Sequence, residues 1–100
     1  MKSVRFHVEA RAELVHEVGF YTAISRGLGE RFDKSIKAAV GRAAEFPDLG
    51  SPHVAGTRRV FPTKFHFSVV YIALENEVFV VAIAPDARRP GYWRSRVGDA

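Results

Sequence analysis

The chain has 100 residues, which suits one domain, because dividing it would leave each half too small to bury a stable core. Apolar residues at 47% with 12% aromatics exclude intrinsic disorder, and the lack of cysteine excludes disulfides and thiolate-held metals. The net charge is +4, and +3 of it lies from Thr57 onward, where Arg58, Arg59, Lys64, Arg88, Arg89, Arg94 and Arg96 outnumber Glu75, Glu77, Asp86 and Asp99.

In chain order, Ser3–Val8 alternates, with Val4, Phe6 and Val8 on one side and Arg5 and His7 on the other, which predicts a strand with one buried face. From Ala10 the period lengthens: Leu14, Val18, Tyr21 and Ser25 recur at helical spacing, and Val15 and Ile24 widen the apolar stripe. Phe20 lies off that stripe, which hints at a second contact surface. Gly27-Leu28-Gly29 reads as a helix C-cap and tight turn. A second helix follows, carrying Leu28, Phe32, Ile36, Ala39, Val40, Ala43 and Phe46 on one face, and Pro47 stops it. The short link makes the helices an antiparallel hairpin.

Asp48–Gly56, with two glycines and a proline, predicts a loop. Three strands are expected beyond it, over Arg58–Lys64, Phe67–Leu74 and Glu77–Ala84, the last two joined by a tight turn at Glu75-Asn76 with Asn76 left-handed. Pro85–Ala100 is a basic, aromatic tail. The expected fold is α+β, with β-α-α-β-β-β order: a helical hairpin packed on a largely antiparallel four-stranded sheet, with a short basic C-terminal tail or helix.

No apolar run approaches the ~20 residues that span a bilayer, so no membrane partner is expected. His7, Glu9, Arg11 and Glu13 follow Met1–Phe6 where a secretory signal would be apolar, and the expected location is the cytoplasm. His7, His16 and His53 show no ligand spacing, so neither metal nor cofactor is expected.

With this order in place, Arg58-Arg59-Val60-Phe61-Pro62-Thr63-Lys64-Phe65-His66-Phe67-Ser68-Val69-Val70-Tyr71 resembles a basic strand, aromatic step and Val-rich strand of the RelE/ParE toxin superfamily. Val80–Ala84 followed by Arg88-Arg89-Pro90-Gly91-Tyr92-Trp93-Arg94 is similar to the ending of ParE-like members, and Gly27–Phe32 to their second-helix start. Two departures stand out: Pro85 where histidine is frequent, and His66 where proline is frequent between the aromatics.

The resemblance implies the toxin of a type II toxin–antitoxin module, neutralised by a cognate antitoxin that wraps it through helix-in-groove and strand-addition contacts. Phe20 and Val15 would anchor that partner. A ParE-like member would inhibit growth by binding DNA gyrase without cutting nucleic acid. A RelE-like member would be a metal-independent endoribonuclease acting on mRNA at the ribosome, and a third alternative is a non-toxic binding module of the same fold.

Arginine forks recognise carboxylate and phosphate in fixed geometry, so the expected target- or antitoxin-binding residues are Arg58, Arg59, Arg88, Arg89, Tyr92, Trp93 and Arg94. RNA cleavage would instead need cations for the phosphorane and groups to move protons; Arg59, Lys64, His66, Arg88 and Tyr92 are the candidates. Because adjacent strand residues face opposite ways, only one of Arg58 and Arg59 can join a given site, and Arg59 shares the parity of Phe61. Trp93 and Tyr92 also suit anchoring the tail, which would fix the neighbouring arginines.

Overall fold

A computed structural model describes residues 1–100. It places β1 at Ser3–Phe6, α1 at Val8–Ile24, α2 at Arg26–Glu45, β2 at Ser51–Pro52, β3 at Arg58–Val60, β4 at Phe67–Ala73 and β5 at Glu77–Pro85. A 3₁₀ turn at Val54–Gly56 precedes β3, and another over Arg94–Asp99 ends the chain. The sheet is five-stranded, in the order β1-β5-β4-β3-β2. β1 runs parallel to β5, and every other pairing is antiparallel. The α+β architecture is the expected one, with one strand more: the predicted loop Asp48–Gly56 pairs Ser51 with Arg59 and Pro52 with Arg58. A two-residue strand ending in proline has no periodicity to read.

The hairpin link differs from expectation. Gly27 and Gly29 lie inside α2, and the break is the single extended residue Ser25. Its N–H donates to Tyr21 O, closing α1, while its Oγ accepts from Leu28 N at 3.1 Å and caps α2. Gly29 serves helix contact instead: a Cβ there would lie 1.9 Å from Thr22 Oγ1.

Other local expectations also give way. Val8 begins α1 and is 74% exposed, because His7 ends the strand and caps the helix, its Nδ1 accepting from Glu9 N. Val15 and Ile24 face solvent, as does Phe20, so the buried stripe of α1 is narrower than predicted. β3 stops at Val60 rather than running to Lys64; Ser35 Oγ donates to Thr63 O and Arg42 Nη2 to Phe61 O, bending residues 61–65 toward α2. Lys64 adopts φ +69 in that bend. The β4–β5 turn falls at Glu75-Asn76, with Leu74 N donating to Glu77 O, but Asn76 is not left-handed.

Two apolar layers result. On one face of the sheet, Phe32, Ile36, Ala39 and Ala43 of α2 and Ala10 and Leu14 of α1 pack on Val60, Phe67, Val69, Tyr71, Val78, Val80 and Ile83. On the other, Trp93 of the tail packs on Val70, Phe79, Val81, Ala82 and Ala84. Val70 pairs with Ala82 and Tyr71 with Val80, so Val81 is an extra residue in β5. This bulge leaves Val81 and Ala82 on the same face, which widens the platform under Trp93.

Candidate functional site, an arginine-lined cavity under the tail

The docked tail creates the site. Trp93 is 2% exposed and anchors residues 85–93 across the outer face of the sheet, as an amphipathic aromatic in a basic tail should. Between the tail and β3 lies a cavity of about 290 Å³, with Arg59, Arg88 and Arg89 on its walls together with His53, Phe61 and Trp93.

Glu13 of α1 fixes the tail from the side. Arg96 Nη1 donates to its Oε1 at 2.9 Å and Arg96 Nη2 to its Oε2 at 3.0 Å, a two-point pair with both side chains largely buried. The Tyr92 hydroxyl donates to the same Oε2 at 2.6 Å. Ile83 N donates to Oε1 at 3.1 Å. That donor needs an acceptor because β1 ends at Phe6, opposite Val80, while β5 runs on to Pro85. Arg96 Nη1 also reaches Val81 O, turned out by the bulge, at 3.2 Å. With Tyr92 held, the Arg88 guanidinium lies 3.7 Å from its ring centroid.

Of the expected residues, Arg59, Arg88, Arg89, Tyr92 and Trp93 converge on the cavity. Arg58 does not: it pairs in register with Tyr71, whose side chain faces the helices, and its Nη1 donates to Asp48 O and Gly50 O. Lys64 lies in a separate cleft beside Arg31 and Lys34. His66 is 98% exposed and 4.0 Å from Asp86, outside the cavity. Arg94 is exposed just beyond the rim.

Electrostatics follow from this placement. Burial pushes the Tyr92 hydroxyl well above 10, and the Glu13 hydrogen bond and charge add to the rise. Burial likewise lowers the His53 imidazole below 6.5, assisted by the charges of Arg59 and Arg94, so it is neutral at pH 7. The Arg96 guanidinium, although disfavoured by burial, is held above its ordinary value by Glu13.

Sequence reasoning missed Glu13, Arg96 and His53. Glu13 and Arg96 are 83 residues apart, and no local pattern distinguishes them from solvated charges. His53 sits beside Pro52 in what reads as a loop; its ring stands 5.7 Å from that of Trp93.

The profile of the family described as "ParE toxin of type II toxin-antitoxin system, parDE" matches residues 4–90. The chain belongs to this ParE toxin family. Among solved structures it is similar to a chain of the "Chromosomal ParDE TA system from P. aeruginosa", with a TM-score of 0.75 and 20% identity. The match covers 85% of this chain and 96% of that one, and shows a shared fold. The search of curated proteins returns no match. The match to the ParE family ends at Pro90, so it includes Arg59, Arg88 and Arg89, while Tyr92, Trp93 and Arg96 lie beyond it.

Proposed function

We propose that this ParE-family chain acts in the cytoplasm, inhibits growth by binding DNA gyrase, and is neutralised by a cognate antitoxin. The observation that carries this reading is the convergence of three arginines on a cavity in which neither of the expected proton-transfer groups, Tyr92 and His66, is available. The Tyr92 hydroxyl is committed to Glu13, and His66 points into solvent outside the cavity. Arg59, Arg88 and Arg89 remain as a set of donors with fixed charge, suited to gripping an acidic surface rather than passing protons. The antitoxin part draws on family membership and on the matched structure, a chain of a ParDE system. Val8, Val15, Phe20 and Ile24, all exposed along α1, supply apolar area for the partner's contact.

One observation favours the RelE-like alternative. His53 lines the cavity as a neutral imidazole beside Arg59, able to accept a proton from a ribose 2′-hydroxyl. No acid for the leaving oxygen is positioned beside it: the Tyr92 hydroxyl is held by Glu13, and Asp86, the one carboxylate on the walls, is 54% exposed.

Induced expression in a bacterium separates the readings. Filamentation with a DNA-damage response and intact transcripts, together with inhibition of purified gyrase, is the expected result. Rapid translation arrest with codon-phased mRNA cuts that vanish in His53→Ala would replace it with the nuclease, and unimpaired growth with the non-toxic binding module.

A further inference from the structure

Several partly buried arginines in this fold have acceptors within the protein. Arg96 is held by Glu13, Arg42 by Phe61 O, and Arg58 by Asp48 O and Gly50 O. Arg59 is different: its Nε is buried and makes no hydrogen bond within the protein. Nearly all buried polar atoms in native proteins are partnered, because a desolvated donor without an acceptor opposes folding. With Nε shut away from water, the terminal nitrogens of Arg59 are the donors it offers to an acceptor in the cavity.

The surroundings define that acceptor. The Arg59 guanidinium carbon lies 5.3 Å from the Phe61 ring centroid, so the ring supports the planar group. Arg89 and Arg88 add positive charge from the tail, the latter 3.8 Å from Glu13 Oε2; His53 adds none at pH 7, and the only carboxylate on the walls is the half-exposed Asp86. Phe61, Trp93, Pro85 and Pro90 make much of the remaining wall apolar. A site of about 290 Å³ with converging cations and apolar walls has room for an anionic side chain. A nucleic-acid strand would instead need cations spaced along an open groove to follow successive phosphates.

We propose that this cavity seats an Asp or Glu side chain of the antitoxin, with the carboxylate taken by the terminal nitrogens of Arg59 and its stem packed on the apolar walls. The proposal rests on the antitoxin-neutralised reading and names its contact.

The test follows the Arg59 Nε–H and the indole N–H of Trp93 on the same wall by NMR in the purified chain during titration with an acetylated, amidated Val-Glu-Leu tripeptide, the Trp93 signal reporting in the Arg59 variants. Controls are its Gln counterpart and a thymidine dinucleotide. A saturable shift with the Glu peptide alone is expected, weakened about 10- to 100-fold in Arg59→Met. Arg59→Lys, which keeps charge without the fork, should recover only part. Thermal unfolding checks that Arg59→Met is folded; if it is not, Arg59→Lys and the wild-type titration decide. An equal shift with the Gln peptide, no saturable shift, or a response to the dinucleotide alone overturns the assignment, the last in favour of nucleic acid.

Binding of the antitoxin encoded beside the gene separates the two layers. Equal affinity for wild type and Arg59→Met would sink the cavity contact and leave the antitoxin reading standing. Failure to bind wild type would sink that reading, while the peptide titration still judges the cavity.

Discussion

Glu13→Ala removes one carboxylate that four donor contacts share: two from Arg96, one from Tyr92 and one from Ile83 N. Glu13 and Arg96 side chains are 15% and 13% exposed, so the substitution leaves a nearly buried guanidinium with only Val81 O at 3.2 Å. Breaking such a pair from one side costs about 3–5 kcal/mol. The stranded Tyr92 and Ile83 donors would each add about 1–3 kcal/mol if water could not reach them. These costs overlap, and the tail can move to admit water, so the expected loss is about 3–5 kcal/mol. For a domain of this size that lowers Tm by roughly 12 °C or more.

Thermal and urea unfolding followed by circular dichroism measure this loss, with Glu13→Gln as a milder substitute if alanine leaves too little folded protein. Arg96→Met on the alanine background should restore stability relative to Glu13→Ala alone, because no buried charge remains unpaired; the coupling is expected to exceed about 1 kcal/mol. A Tm change under about 4 °C for Glu13→Ala, or strict additivity in the double variant, would refute the view that this network clamps the tail.

Three further outcomes are expected. Arg88→Ala/Arg89→Ala should abolish growth inhibition while leaving the fold intact, since both side chains are exposed and Arg88 adds only its contacts with Tyr92 and Glu13 to the tail's anchorage; continued inhibition by the folded variant in an induction assay would remove the tail arginines from the site. Tyr92 titrates above 10 in the fold, so its contribution to stability is present below pH 10 and is lost as pH rises further. Tyr92→Phe should therefore cost about 1.5–3 kcal/mol near neutrality and give a shallower alkaline decline, read by urea unfolding at pH 8 and above pH 10. His53 should titrate below 6.5 by NMR and move upward in Arg59→Met and in Arg94→Ala, because each removes a repelling charge. Its neutral form is favoured in the fold, so this residue's contribution is full above pH 6.5 and falls as pH drops below it. A midpoint at or above 6.5, unmoved by either substitution, would contradict the placement of His53 on the cavity wall.

The strand and helix periodicities carried most of the architecture. Phe32, Ile36, Ala39, Val40 and Ala43 repeat at helical spacing and all lie in the core, and β4 and β5 occupy nearly the predicted ranges. The errors cluster where a residue's reason is a distant neighbour. Gly27 and Gly29 look like a helix stop, yet Gly29 exists to let Thr22 approach, and the stop is a serine that caps both helices. Strand β3 reads as continuing to Lys64, yet Ser35 and Arg42 of α2 bend it away. Ser51 and Pro52 became a strand only because Arg58 and Arg59 were already paired beside them.

By itself the sequence determined the layer arrangement, the basic C-terminal bias and the anchoring aromatics, because apolar periodicity and composition are local quantities that survive without coordinates. Parity on β3 also limited the site to one of Arg58 and Arg59, since alternation is fixed by strand geometry, and the fold decided that it is Arg59 that lines the cavity. Only the tertiary structure decided which charges serve the fold and which line the cavity. Glu13 and Arg96 are indistinguishable from surface residues until a β-bulge, a shortened β1 and a docked tail bring them together, and the same folding event buries the Nε of Arg59. A side chain's partner is set by distance in space, and residues 13 and 96 come within 2.9 Å of each other only once the sheet and helices have closed.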